Sequence, residues 1–158
     1  MVRKVLRLDP RRRALLAEAV VVHASMVVMI RIVPFRWVWR ACERSARRGT
    51  FGGPTGSDVS GVTAGVAWAV SAVAAAMPAG STCLTVALTA DRMLKRRGLD
   101  SVVVFGVASD PSAPRFHAWV ECNGRAIGSG DGLDRYRALA SCSATAARIA
   151  NSTALAGR

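Results

Sequence analysis

Cys83 and His117 are the two residues whose types and positions could together perform covalent chemistry. A cysteine attacks a carbonyl as its thiolate, and the first turn of a helix stabilises a thiolate through unpaired N–H groups and a partial positive charge. Ser81 can cap a helix over residues 82–97, which places Cys83 in that first turn. His117 lies downstream on a predicted strand, and imidazole is a common base for a thiol nucleophile. The pair therefore predicts nucleophilic catalysis on an acyl group.

The other cysteines and the second histidine have simpler interpretations. Cys42 and Cys122 are predicted to be small apolar packing residues, and Cys142 lies in a tail with no base near it. His23 lies inside an apolar helix stripe and is predicted to be structural or membrane-facing. The chain has no C-x-x-C spacing and two histidines, which argues against a structural metal. No disulfide framework is expected, because the chain is large enough to fold without one and a thiol nucleophile needs a reducing compartment. We expect no cofactor.

The elements that must position Cys83 and His117 indicate an α+β fold. Four helices are predicted first, at 10–33, at about 35–46, at 62–77 and at 82–97. Three strands follow, at 101–107, 115–122 and 125–129, and Asn123-Gly124 is a strong signal for a hairpin between the last two. Trp119 and Glu121 share the face of His117 by the period of two, so either could line the site.

The 158 residues fit one compact domain with appendages. We expect basic and apolar N-terminal helices, then a Gly- and Ser-rich linker, the catalytic core and an Ala- and Ser-rich tail. The corresponding boundaries are 1–50, 51–61, 62–140 and 141–158.

Two motifs, read in order, resemble a known family. The segments PAGSTCLTVALTADRMLKRRGLD and FHAWVECNGRAIG are similar to the transglutaminase-like core of the lasso peptide biosynthesis B2 proteins, which are leader peptidases. The resemblance covers roughly residues 66–139. It implies a transglutaminase/papain-like core with the nucleophile helix packed on a small antiparallel sheet, Cys83 as nucleophile and His117 as base. It also implies thioester chemistry on a ribosomally made precursor peptide.

The resemblance also predicts partners. The family's leader-binding element is absent from this chain, which implies a separate leader-binding B1 protein beside the precursor peptide, cut at its leader–core junction. The lasso cyclase is a further candidate partner.

The third member of the catalytic triad departs from the family, which places an Asp where this chain has Ser129. The nearest acid is Asp131. A two-residue hairpin loop would set Gly130 opposite His117, whereas three-residue loops would bring either Asp131 or Ser129 there. We predict Asp131, because a carboxylate stabilises an imidazolium better than a hydroxyl does.

The net charge of +12 is concentrated in residues 1–50, which hold twelve Lys and Arg but three acidic residues. A solvated helix face and an anionic membrane surface are both consistent with it, and residues 10–48 are the segment that would associate with a membrane. Nucleic acid is not expected, because no aromatic–basic motif accompanies the charge. A free thiol nucleophile favours the reducing cytoplasm.

Two other classes of function stay open. An acyltransferase of the transglutaminase type would use the same Cys83–His117 pair and differ only in passing the thioester to an amine. A non-catalytic peptide- or membrane-binding module would not need Cys83 at all.

Overall fold

A computed structural model describes most of the chain. The described residues are 9–48, 57–109, 112, 114–128 and 132–141.

Helices come first in this part of the chain and strands follow. The helices are α1 (Pro10–Ile32), α2 (Phe35–Arg48), α3 (Ser57–Ala76) and α4 (Cys83–Lys95), with a short 3-10 turn at Pro78–Gly80. The strands are β1 (Ser101–Ala108), β2 (Phe116–Cys122), β3 (Arg125–Ile127) and β4 (Tyr136–Ser141), with a 3-10 turn at Leu133–Arg135 before β4.

The four strands form one antiparallel sheet in the order β3-β2-β1-β4. The predicted hairpin between β2 and β3 is confirmed. Asn123 and Gly124 both have positive φ, at 51° and 74°, as a tight two-residue hairpin turn requires. Cys122 therefore pairs with Arg125, and the described ladder ends where Val120 pairs with Ile127.

The helices form a layer against one face of this sheet. α4 packs on β2 and β1, while α1 and α3 pack on each other and on α4. Val66, Met93, Leu94 and Val120 are almost fully buried where these elements meet. α2 adds Val38 to a second cluster with Leu88 of α4. The architecture confirms an α+β fold in which α4 packs on a small antiparallel sheet.

Polar side chains fix α4 between α1 and the sheet. Glu18 of α1 pairs with Arg97 just beyond the end of α4, and the Arg97 guanidinium lowers the pKa of Glu18. Asp91 of α4 accepts hydrogen bonds from Lys95 at 2.9 Å and from Ser101 of β1 at 2.8 Å. Burial raises the pKa of Asp91. These contacts attach the C-terminal half of α4 to α1 on one side and to β1 on the other.

Two elements differ from the sequence prediction. The stretch 51–61, predicted to be a linker, is helical from Ser57 onward, because Val59 and Val62 pack against the main core and extend α3 toward its N-terminus. Residues 51–56 lie outside the described residues. A fourth strand, β4, was not predicted; it pairs with the otherwise free edge of β1. Of the predicted tail, residues 142–158 also lie outside the described residues.

Candidate active site

The N-terminus of α4 is built by a reciprocal cap. Thr82 is the N-cap residue; its hydroxyl accepts a hydrogen bond from the Thr85 N–H at 3.2 Å, and the Thr85 hydroxyl accepts one from the Thr82 N–H at 2.8 Å. The expectation that Ser81 is the cap is wrong. Either hydroxyl can cap a helix, but Thr85, three residues after Thr82, completes the box from Thr82 and not from Ser81.

Cys83 is the first residue of α4, and its side chain is exposed as a free thiol. The cap satisfies the N–H of Thr85, and Val86 N–H bonds to the Thr82 carbonyl. Within the described residues, the N–H groups of Cys83 and Leu84 have no partner. The thiol therefore lies beside two unpaired donors at the positive end of a helix dipole.

His117 lies near the start of β2 and is half-buried. Its ring lies 4.9 Å from the ring of Tyr136 and 6.2 Å from the ring of Trp119, measured between centroids. Burial lowers the pKa of His117 below its ordinary 6.5. The imidazole is therefore neutral at neutral pH, as a general base must be. Tyr136 could not have been identified from the sequence, because the strand that carries it was not predicted.

Trp119 supports the ring of His117 from the same face of β2. Its indole N–H donates to the Glu121 carboxylate at 2.9 Å. A glycine at position 106 makes room for it, because a Cβ there would lie 2.7 Å from the Trp119 ring. Both residues singled out in the sequence thus belong to the surroundings of His117: Trp119 lines the cleft, and Glu121 orients Trp119.

A cleft of about 390 Å³ brings Cys83 and His117 together. Ser81 and Thr82 lie at the nucleophile end. Small residues of α3 form the opposite wall, a role not predicted for that helix. The other lining residues are Ala67, Val70, Ser71, Ala74, Pro78, Val86, Ala87, Ala90, Ala118, Trp119, Val120, Ile127 and Gly128.

The thiol and the imidazole share the cleft without touching. Among the described residues, His117 makes ring contacts to Trp119 and Tyr136 and no hydrogen bond to Cys83. Catalytic hydrogen bonds are often long in the absence of substrate and shorten when it binds.

The third triad member is not placed by the described residues. The observed two-residue loop contradicts the three-residue register that would set Asp131 opposite His117. The positive φ of Gly128, 67°, takes the chain out of the strand before that point, so the register does not extend to Gly130 either. Ser129 and Asp131 lie outside the described residues, and no described carboxylate contacts the His117 imidazole. The role of Asp131 stays a prediction.

Replacing Asp131 by asparagine is expected to lower the rate of acyl cleavage by at least ~100-fold, because an amide cannot stabilise the imidazolium that forms at His117. Replacing Ser129 by alanine is the matched control and should have little effect. Steady-state rates of both variants, with thermal unfolding measured alongside, decide between the two residues. The reverse ranking would exclude Asp131 as the third member.

The other candidate residues lie elsewhere or outside the described region. Cys122 is buried and packs in the main core, as predicted, and burial raises the pKa of its thiol. Nothing is described of the Cys42 side chain or of Cys142. Within the described residues, no cluster of three or more His, Cys, Asp or Glu side chains could hold a metal ion.

An exposed thiol at a helix start, in one cleft with an imidazole of the adjoining sheet, is typical of cysteine enzymes that form thioesters. The family model described as Transglut_core3, transglutaminase-like superfamily, matches residues 26–141. The protein belongs to the transglutaminase-like superfamily. This match includes α2 and the end of α1, so the family domain begins before the predicted core. Comparisons with curated proteins and with solved structures give no match.

Proposed function

We propose that the protein is a cysteine peptidase that removes the leader from a ribosomally made lasso precursor peptide. The observation that supports this most is the exposed Cys83 thiol at the start of α4, in one cleft with the neutral imidazole of His117. The superfamily contains both peptidases and acyltransferases, so the specific substrate rests on the two motifs that resemble the B2 leader peptidases.

The reaction proceeds through a thioester. His117 takes the thiol proton, and the Cys83 sulfur bonds to the carbonyl carbon, whose oxygen becomes an oxyanion. The carbon–nitrogen bond then breaks as the His117 imidazolium gives its proton to the leaving amine. Water, deprotonated by His117, attacks the thioester. The carbon–sulfur bond breaks, the His117 imidazolium returns its proton to the Cys83 sulfur, and the leader leaves as a carboxylic acid that ionises in water.

The oxyanion needs donors that are already oriented. The unpaired Cys83 N–H lies at the reacting sulfur, and the Leu84 N–H next to it is a second unpaired donor of the same turn. Removing one such donor from an enzyme typically lowers kcat by about 100- to 1000-fold. The Thr82–Thr85 box thus has a chemical consequence, because it caps the helix without using the Cys83 N–H.

A separate leader-binding protein of the B1 type is proposed to present the precursor, as the resemblance to the B2 leader peptidases implies. We expect this partner to accelerate cleavage of the full precursor, because tethering raises the effective concentration of the scissile bond, to the millimolar range for short linkers. Mass spectrometry of the products with and without the partner measures this. A short peptide that spans the leader–core junction but lacks the leader segment bound by the partner is the control, and it should gain nothing. Equal acceleration of both substrates would remove the tethering hypothesis.

Association with an anionic membrane surface is proposed for the N-terminal helices. Two helical segments, Pro10–Ile32 and Val59–Ala76, have the length and hydropathy of a membrane span, a criterion that core helices of soluble proteins also meet. On α1, the side chains of Val21 and Ile32 are 70% and 74% exposed, and Trp37 of α2 is 48% exposed. Exposed arginines lie near Ile32 and Trp37 in the sequence, at positions 31, 36, 40 and 44. Apolar and aromatic side chains flanked by cations are typical of interfacial helices.

The chain is expected to sediment with vesicles containing phosphatidylserine but not with neutral vesicles, since each Arg near an anionic surface contributes about 1 kcal/mol. Changing Ile32 and Trp37 together to glutamate should abolish the binding. Leu139→Glu is the matched control, because Leu139 is also an exposed apolar residue but lies on β4. Binding that survives the double change would exclude Ile32 and Trp37 as the residues that contact the membrane.

A further inference from the structure

His23 of α1 is a fully buried polar side chain near the cleft, with an exposed fraction of 0%. Its Nδ1 lies 3.1 Å from the Thr89 hydroxyl of α4, and its Nε2 lies 2.8 Å from the Ser81 hydroxyl. Both ring nitrogens therefore have a hydrogen-bond partner. Thr89 lies in α4, and Ser81 lies in the segment that leads into α4. The mechanism described above makes no use of this residue.

Each of the two hydroxyls also has a backbone acceptor: Thr89 lies 2.6 Å from the Thr85 carbonyl, and Ser81 lies 2.7 Å from the Met77 carbonyl. Burial lowers the pKa of His23, which keeps the ring neutral with a single N–H. One hydroxyl therefore accepts from the ring and the other donates to it, so that in either tautomer His23 holds both Thr89 and Ser81.

The segment held in this way leads directly into the nucleophile. Ser81 lines the cleft and lies two residues before Cys83 in the sequence. The preceding turn, Pro78–Gly80, packs on α1 as well: a Cβ on Gly80 would lie 3.0 Å from the Val27 side chain. The His23 imidazole therefore links α1 both to Ser81, directly after this turn, and to Thr89 in α4.

We infer that His23 is a positioning residue for catalysis, which fixes the segment before Cys83 through Ser81 and so sets the thiol toward the cleft. The inference rests on the proposed function only in naming the reaction; the placement of Cys83 is a property of the chain itself. His23 acts through Ser81 and touches neither substrate nor thiol.

Two amide side chains at position 23 can distinguish the two hydrogen bonds of His23, because each keeps one of them. Asparagine at position 23 places its amide near the site of Nδ1 and can keep Thr89, whereas glutamine reaches the site of Nε2 and can keep Ser81. His23→Asn is expected to lower kcat for precursor cleavage by about 10- to 100-fold with KM little changed, the effect of a small displacement of a reacting group. His23→Gln should stay within about threefold of wild type, because it keeps the bond to Ser81.

Thr89→Val is the matched control, because it removes a bond of His23 but leaves Ser81 held. It should lower the thermal midpoint as His23→Asn does while leaving kcat nearly unchanged. Ser81→Ala should reproduce the loss of His23→Asn, and the two changes together should lose no more than either alone, as expected of one shared interaction. The rate at which iodoacetamide labels Cys83, measured by mass spectrometry, should also fall in His23→Asn and Ser81→Ala.

Equal loss of kcat in the asparagine, glutamine and Thr89→Val variants, in proportion to their thermal midpoints, would overturn the inference and leave His23 a structural residue. Unchanged labelling of Cys83 in His23→Asn would overturn it as well. If the wild-type chain cleaves no precursor but the labelling rates still separate asparagine from glutamine, the proposed function fails and the positioning role stands.

Discussion

Cys83→Ala is expected to lower the rate of leader removal by at least ~10⁴-fold, because loss of a covalent nucleophile removes the whole thioester pathway. The side chain is exposed, so its removal deletes no packing and should change the free energy of unfolding by less than about 0.5 kcal/mol. Single-turnover cleavage of the precursor, together with chemical denaturation, measures both quantities.

Cys122→Ala is the control for Cys83, since it is the other described free thiol and lies in the core. It should reduce stability by about 1 kcal/mol and leave the catalytic rate of the folded fraction unchanged. A Cys83→Ala protein that still cleaves at a substantial rate would contradict the assignment. So would iodoacetamide labelling that modifies Cys42 or Cys142 at neutral pH and leaves Cys83 inert.

His117→Ala should reduce cleavage by at least ~10³-fold, because the thiol loses its base and the leaving amine loses its acid. His117 also packs between Trp119 and Tyr136, so a loss of stability is expected too. Trp119→Phe tests the two roles apart: it keeps an aromatic ring beside His117, but it removes the bond to Glu121 and part of the buried ring system beside Gly106. It should retain most of the rate, whereas a loss as large as that of His117→Ala would assign the effect to packing.

The pH dependence provides a second readout of His117. Burial lowers its pKa, so the neutral base persists below the ordinary value of 6.5. The value of kcat/KM should therefore fall with acidification only at a pH below 6.5, as the folded imidazole takes up its proton. The unfolded chain takes up that proton nearer 6.5, so stability should also fall in the same window between the two pKa values. Neither effect of this histidine should remain in His117→Ala.

Much of this arrangement follows from local sequence signals. The helix start at Pro10, the second helix from Phe35 and the Asn123-Gly124 turn each depend on signals within a few residues, and each is present in the structure. The location of Cys83 in a first helical turn is a signal of the same kind. Such features could be predicted because capping residues, the spacing of apolar residues and turn residues each determine the local backbone conformation.

The remaining features depend on contacts between distant segments. β4 is rich in alanine, which favours helix, and it becomes a strand because β1 offers a free edge to pair with. The partners of His23 lie on α4 and on the turn before it, so a role for this residue could not be derived from an apolar helix stripe. The contact of Tyr136 with His117 depends on the same unpredicted strand.

Leader removal in water enriched in oxygen-18 tests the central claim most directly. If Cys83 forms a thioester that water hydrolyses, each turnover places one heavy oxygen in the new carboxylate of the leader, and the core peptide leaves with a free amine. Mass spectrometry of both fragments in one sample reads this out. An unlabelled leader joined to an amine would instead show acyl transfer, and intact precursor after prolonged incubation with the leader-binding partner would contradict the account.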